Sequence, residues 1–295
     1  MPDITVYIPA YNVARFLPTA IESLLAQTLE PAEIMVIDDG SKDDSAGVAR
    51  RYPQVAVVRH EHNSGLAAAR NTAFRAARGE FVASLDADCV AEPTWLEKLS
   101  QHLTEKKIAG AGGFLREGVR DSIADRWRAA HMRQEWGAAP VRNPKFLFGC
   151  NNIFKRAAVL EAGGYDETMR TNGEDCELSR RLYAKDWELI YDPAAQATHL
   201  RCDSVKSILD TYWRWWRTGV NAYASGISLR SVVGHAVFVH FRYTFLELFA
   251  SDLRARRFEL LLLDALLLGY LPYRDFRLWL ASNRKFMNQQ SAAGA

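Results

Sequence analysis

Five places along the chain carry side chains that could do chemistry. Asp86-Ala87-Asp88 follows an apolar run at 81–85. Alternate residues of a strand point to opposite faces, but a turn at its end brings both carboxylates to one cation. Carboxylate oxygens are hard ligands suited to Mg²⁺ or Mn²⁺, ions that bridge carboxylates to a diphosphate. Turn formation is the other reading of an isolated Asp-x-Asp. Asp38-Asp39-Gly40-Ser41-Lys42-Asp43-Asp44-Ser45 follows a second apolar run. Its acids build a turn and helix cap, or accept hydrogen bonds from a base N–H and a ribose, with Asp39 the candidate for the base. The segment from His62 through Asn63, Ser64 and Gly65 to Arg70 and Asn71 reads as a helix start made of small residues. Its exposed N–H groups favour an anion, and Arg70, one turn inside, reaches toward a nucleotide. A tightly packed helix with a surface Arg is the alternative. Glu174-Asp175 opens another helix, as a cap or as a general base for an acceptor hydroxyl. His199 follows a short strand and is structural or completes a metal set with Asp88.

The elements that must position these groups alternate. Apolar runs at 4–8, 34–37, 55–58 and 81–85 read as strands. Between and after them, Phe16, Leu17, Ala20, Ile21, Leu24 and Leu25 mark one helix, residues 66–77 a second, and Trp95, Leu96, Leu99 and Leu103 a third. Strand–helix alternation predicts an α/β fold with a mostly parallel sheet flanked by helices. In such sheets ligands sit beyond the carboxyl ends of the strands. The polar clusters at 9–12, 38–41 and 86–88 lie at those ends. The middle is less regular: a helix over 121–136, a loop, a short helix at 157–162, a helix at 173–184 and a short strand at 187–191. After residue 204 the pattern is helical, over 205–216, 232–250 and 256–268.

Composition sets the frame. The 295 residues are 48% hydrophobic and 24% charged, as in a folded globular chain of about two domains. Four widely spaced cysteines with no CxxC pair argue against a disulfide scaffold or zinc ribbon and for a reducing compartment. Strand-like sequence directly after Met1 does not read as a signal peptide, so a cytoplasmic location is expected. No uncharged apolar run reaches the roughly 18 residues of a membrane span. Residues 1–204 hold 25 Lys+Arg and 29 Asp+Glu, whereas 205–295 hold 12 and 6. The acidic body gives nucleic-acid binding little support.

In order, these segments resemble the inverting family-2 glycosyltransferases with the GT-A fold. The resemblance rests on Ile8-Pro9-Ala10-Tyr11-Asn12, Ile37 to Ser41 with Asp43 and Ser45, Asn63-x-Gly65 with Ala69-Arg70-Asn71, and Asp86-Ala87-Asp88. Gly163-Gly164-Tyr165-Asp166-Glu167 and Gly173-Glu174-Asp175 with Leu178 and Arg181 complete it. It covers residues 3–200 and implies a nucleotide-diphosphate sugar donor, with UDP favoured. Pro9, Ala10, Tyr11, Asn12, Asp39, Gly65, Arg70 and Asp86 would hold the donor, with Tyr11 against the base. Asp88, with Asp86 and His199, would bind the divalent cation. Asp175 would be the base and Glu174 its neighbour orienting substrate. The implied division is a GT-A catalytic domain at 1–204 and a helical region at 205–295.

That region departs from the processive relatives, which carry Gln-x-x-Arg-Trp. Here Thr211 precedes Tyr212-Trp213-Arg214-Trp215, which argues for transfer of a single sugar to a glycan or lipid-linked acceptor. Trp213, Arg214 and Trp215, with Trp216, wall the acceptor side or pack the helix. Arg254, Arg256 and Arg257 precede the leucine run at 260–271, and Arg274, Arg277, Arg284 and Lys285 follow it. This fits an anionic surface at the inner face of a membrane, or alternatively a helical cap or homodimer contact. Two further readings stand beside the enzyme. One is a catalytically inactive nucleotide-sugar-binding module. The other is a sugar nucleotidyltransferase, which would want a Gly-rich basic loop after the first strand.

Overall fold

A computed structural model describes residues 3–169, 172–219 and 228–293. They form two compact units: Met1–Val119 with Arg133–Arg201, and Arg120–Met132 with Cys202–Ala295.

The first unit is built on one sheet. Its strands are β1 (Ile4–Ala10), β2 (Glu33–Asp38), β3 (Val55–Arg59), β4 (Phe81–Leu85), β5 (Cys89–Ala91), β6 (Ile108–Glu117), β7 (Val141–Arg142), β8 (Asn151–Lys155) and β9 (Glu188–His199). They are ordered β3-β2-β1-β4-β8-β6-β9-β5, with β7 on β9. The β3-β2-β1-β4 half is parallel. Beyond it β8 runs antiparallel to both β4 and β6, while β6 and β9 are parallel. The register Ala10↔Asp38 lines up the ends of β1 and β2.

Both faces are covered, so the β-branched strands are buried on both sides. Ile4, Val6, Ile8 and Ala10 of β1 pack with Leu17, Ile21 and Leu24 of α1 (Leu17–Leu25) and with Trp95, Leu96 and Leu99 of α4 (Trp95–Ser100). The same face takes Val48 and Ala49 of α2 (Ser45–Ala49). Tyr7, Met35 and Ile37 face the other way, onto α3 (Leu66–Ala76), α6 (Arg156–Glu161) and α7 (Glu174–Ala184).

Strands β5, β6, β7 and β8 go beyond the elements read from the sequence, and β9 runs on past Tyr191. Gly110, Gly112 and Gly113 hide β6 from propensity, yet contact demands two of them. A Cβ on Gly110 would lie 2.3 Å from the Phe154 ring, and one on Gly113 1.9 Å from the Ala195 carbonyl oxygen. Pro193 suggests a strand end, but a register shift between Gly113 and Phe114 accommodates it as a bulge and pairing resumes to His199.

The second unit is helical. Its helix α5 (Ile123–His131) opens with a capping box in which Ser122 Oγ accepts from Asp125 N at 3.0 Å and Asp125 accepts from Ser122 N. Such a cap stabilises a helix by about 1 kcal/mol. The helix ends at His131, short of the expected residue 136, because Gln134 bridges back to Leu115 of β6 in the first unit's chain segment. Helices α8 (Val205–Gly219), α9 (Leu229–Gly234), a widened stretch at His235–Phe245, α10 (Leu246–Arg254) and α11 (Leu261–Ala293) follow. Trp127, Ile208, Trp213, Leu260, Leu263, Leu267 and Leu271 form its core.

Candidate active site

The site grows from the loops after β1, β2 and β4. The loop after β1 and the Asp38–Ser45 segment latch onto each other. Asn12 N donates to Ser41 Oγ at 3.0 Å, and Lys42 N donates to Asn12 Oδ1 at 2.8 Å. Val13 N donates to Ser45 Oγ and Ala14 N to Asp43 Oδ2, each at 3.0 Å. Asn12 takes φ +55°, a conformation Asn tolerates better than most residues. The alternating Asp and Ser of 38–45 therefore hold a loop, whatever else they do. Pro9 and Ala10 are buried, while Tyr11 leaves its ring exposed above this rim.

Asp39 is almost fully buried. Its Oδ1 accepts from Ser64 N at 2.8 Å and meets His60 Nδ1 at 2.7 Å; its Oδ2 accepts from Gly65 N at 2.8 Å. It thus fixes the entry to α3, where Gly65 adopts φ +103°. Gly40 must be glycine, since a Cβ there would lie 2.6 Å from the His62 carbonyl carbon at φ +70°.

Arg70 lies beneath the site, 1% exposed. Its Nη1 donates to Ser84 Oγ and the Gly149 carbonyl, both at 2.7 Å, and to Tyr7 Oη at 3.2 Å. Its Nη2 reaches Asp86 Oδ1 at 3.3 Å and its Nε lies 3.4 Å from Glu174 Oε1. Despite burial, which pulls the other way, these neighbours hold its guanidinium well above its usual range. Asn71 beside it grips the Gly163–Glu167 segment: its Oδ1 accepts from Tyr165 N at 2.7 Å, and its Nδ2 donates to Tyr165 O and Glu167 Oε1, each at 2.9 Å. Arg181 secures the same turn, donating to Gly164 O at 2.5 Å and to Ala162 O.

Asp86 and Asp88 sit on the turn between β4 and β5, which closes through Cys89 N→Asp86 O at 3.0 Å and Asp86 N→Cys150 O at 3.1 Å. The Cys89↔His199 register sets the end of β9 beside it. His199 Nε2 lies 3.3 Å from Asp88 Oδ2, and its Nδ1 lies 2.9 Å from Glu117 Oε2. Burial lowers the His199 pKa, but the two carboxylates outweigh it and carry it to about 9. Burial raises Asp88, yet His199 brings it below the usual carboxylate range. Burial raises Asp86 against Arg70, helped by the charges of Asp88 and Asp175.

Glu174 and Asp175 open α7 behind Gly173, which takes φ +88°. Asp175 Oδ2 accepts from Gly149 N at 3.0 Å and its Oδ1 from Cys176 N at 2.8 Å. Glu174 is buried, its Oε2 without a hydrogen-bond partner among the described residues. Burial and the neighbouring Asp175 charge push its pKa to about 7, against the pull of Arg70.

The donor chemistry suits a divalent cation. Asp88, Cys89 and His199 each offer an atom within 4.8 Å of the others. Glu117 on Nδ1 orients the ring with Nε2 toward Asp88, the arrangement that commonly orients a metal-binding histidine. Burial holds the Cys89 thiol well above its usual range, and its soft sulfur suits Mg²⁺ or Mn²⁺ less than the carboxylate and imidazole do. Glu117 escaped sequence reasoning because β6 did. Gly149 and Ser84 carry no signal of their own, and their partners are distant in sequence.

In the second unit, Trp213 is a core residue whose Nε1 donates to Asp275 Oδ1 at 2.8 Å, with the Arg274 guanidinium 4.3 Å from its ring centroid. Arg214 donates to Thr211 Oγ1 at 3.1 Å, and Trp215 packs on the same core, half-buried. The side chains of Trp216, Arg284 and Lys285 lie outside the described residues.

Known proteins bear on this geometry. The pre-mycofactocin glycosyltransferase of Mycobacterium tuberculosis (strain CDC 1551 / Oshkosh) is 32% identical over 208 residues, 67% of this chain and 42% of that protein. The chain thus matches under half the length of that relative. The glucosyl-dolichyl phosphate glucuronosyltransferase of Haloferax volcanii is 29% identical over 220 residues, 66% of this chain and 68% of its own. The mannosyltransferase PcManGT from Pyrobaculum calidifontis, solved in complex with GDP-Man and Mn²⁺, superposes with a TM-score of 0.60 at 18% identity. That match covers 95% of this chain and 86% of the other, and shows a shared GT-A fold. The profile of Glycosyl transferase family 2 matches residues 5–162, spanning the latched loops, the Arg70 hub and the Asp86–Asp88 turn. With that match over more than half its length, the chain belongs to glycosyl transferase family 2.

Proposed function

We propose that the chain is an inverting, metal-assisted glycosyltransferase. It moves one sugar from a nucleotide-diphosphate sugar to a hydroxyl of a glycan or lipid-linked acceptor. One observation carries the reading: Arg70 Nη2 lies 3.3 Å from Asp86 Oδ1 while its Nη1 donates to the Gly149 carbonyl, whose own N–H donates to Asp175 Oδ2, which links the metal-type carboxylates to a candidate base.

Asp88 and His199, with Asp86 beside them, would hold Mg²⁺ or Mn²⁺. When bound, the ion supplies positive charge against the departing diphosphate. Tyr11 offers an exposed ring to the base, and Asp39 keeps the β2–α3 rim in place while retaining acceptor capacity on Oδ2. Asp175 takes the proton of the acceptor hydroxyl as it attacks the anomeric carbon from the face opposite the diphosphate, which inverts the configuration. Gly149 N–H aims its carboxylate, and Arg70 holds the Gly149 carbonyl.

A thermal-shift panel of UDP-, GDP- and dTDP-sugars tests the reading. Stabilisation by one nucleotide class that requires Mn²⁺ supports it. No shift with any of them, with or without Mn²⁺, contradicts it.

The lipid-linked acceptor is supported by the second unit. Phe238, Leu262 and Phe258 are each more than 60% exposed there, and Arg254, Arg256 and Arg277 are exposed along the same segment, while Arg257 pairs with Asp252 and Arg274 with Asp210. None of the described helices is long and apolar enough to cross a membrane, so contact would be at the surface. Flotation of the full chain with anionic liposomes supports this, and failure to float even in low salt ends it.

A further inference from the structure

The second unit contains a buried cluster that the proposed transfer does not use. His131 ends α5, Asp252 lies on α10 and Asp264 on α11. One donor atom from each lies within 4.8 Å of the others. Both aspartates are 0% exposed.

Each carboxylate spends one oxygen on a protein donor. Asp252 Oδ1 accepts from Arg257 Nε at 2.8 Å, and Asp264 Oδ1 accepts from Trp127 Nε1 at 2.9 Å. The other oxygen of each is Asp252 Oδ2 and Asp264 Oδ2. Asp252 Oδ2 faces His131 Nε2 at 3.0 Å, and Asp264 Oδ2 is buried without a hydrogen-bond partner among the described residues. A buried carboxylate oxygen left unpaired is costly unless a hydrogen-bond donor or a cation meets it. Trp127 and His131 are four residues apart on one helical face, their ring centroids 4.8 Å apart, so the indole walls the pocket as well as orienting Asp264.

We infer that His131, Asp252 and Asp264 form a structural divalent-cation site, separate from the Asp88–His199 ligands and of the Zn²⁺ type. Imidazole nitrogen and carboxylate oxygen are both ligands of that ion; three protein ligands leave a fourth position for water, so the set is open, unlike the all-protein tetrahedra of most structural zinc sites. His131 binds through Nε2 in its neutral form, and the proton displaced from it goes to solvent. The ion pins α5 to α10 and α11, so its role is stability of the helical unit, with no part in sugar transfer.

The test uses the full chain, stripped with chelator and then given Zn²⁺ alone. Bound metal is counted by elemental analysis after gel filtration, with circular dichroism as the check on folding. The Asp88→Ala protein, which lacks the first site's carboxylate, should retain one equivalent and melt at a higher temperature with the metal than without it. In that background Asp264→Asn and His131→Gln should each weaken binding by at least about 100-fold. His131→Gln leaves no new buried charge and decides the matter if Asp264→Asn fails to fold. Overturning results are a folded Asp88→Ala protein that holds no Zn²⁺, or a folded His131→Gln protein that holds as much as its parent. The two aspartates would then share a proton.

Discussion

Gly149 joins the two halves of the candidate site through its two backbone groups. Its N–H donates to Asp175 Oδ2 at 3.0 Å, while its carbonyl accepts from Arg70 Nη1 at 2.7 Å. The buried cation that touches Asp86 thus also sets the peptide that aims Asp175.

Asp175→Asn keeps the shape of the side chain and one acceptor oxygen but removes the basicity. Turnover should fall by about 10²–10⁴, the usual contribution of a general base, while donor affinity measured by calorimetry stays near the parent value. Equal loss of donor binding would assign Asp175 to structure alone.

Glu117→Gln leaves Asp88 and His199 in place and changes only the group on His199 Nδ1. An outer partner of this kind is worth about 10–100-fold in metal affinity. The Mn²⁺ concentration for half-maximal activity should rise by that factor, with the rate at saturating Mn²⁺ largely kept. An unchanged Mn²⁺ titration would remove His199 from the metal set.

Arg70→Met leaves Glu174 and Asp86 beside an apolar side chain and strips the Gly149 carbonyl of its donor. Breaking a buried charge pair typically costs about 3–5 kcal/mol, readable as a lowered urea midpoint. Arg70→Lys should lose less, since it keeps the charge but not the planar fork. Two variants as stable as the parent would refute the hub.

Glu174 titrates at about 7 in the folded chain against 4.5 for the free side chain. Between those values the folded chain holds a proton that the unfolded chain has released. Its contribution to stability is therefore largest below pH 4.5 and declines as the pH climbs to about 7. Glu174→Gln should flatten this part of the profile in urea unfolding at a series of pH values. A slope unchanged by the substitution would mean that Glu174 ionises normally.

The strand ends were legible because β1, β2 and β4 are continuous apolar runs that stop at polar residues, and Glu174-Asp175 was legible as a helix opening. Arg70 was legible as part of a motif, but its burial was not. Tyr7, Ser84 and Gly149, which satisfy it, lie 63, 14 and 79 residues away, and no local pattern announces such partners. The same non-locality hid β6 and the part of β9 beyond Tyr191, whose glycines and proline read as breakers until the opposing strand explains them. Asp43, Ser45, Asn71 and Arg181 were visible as motif residues, yet their cross-loop bonds emerge only once the loops are folded together.

Crystals of the full chain with UDP and Mn²⁺, measured for anomalous scattering from manganese, bear most directly on the proposed site of Asp88, His199 and Asp175. The expected density has an ion between Asp88 and His199, the diphosphate against it and the Asp175 carboxylate facing the same space. Manganese found only at His131, Asp252 and Asp264, or a nucleotide bound away from the ends of β1, β2 and β4, would contradict the account.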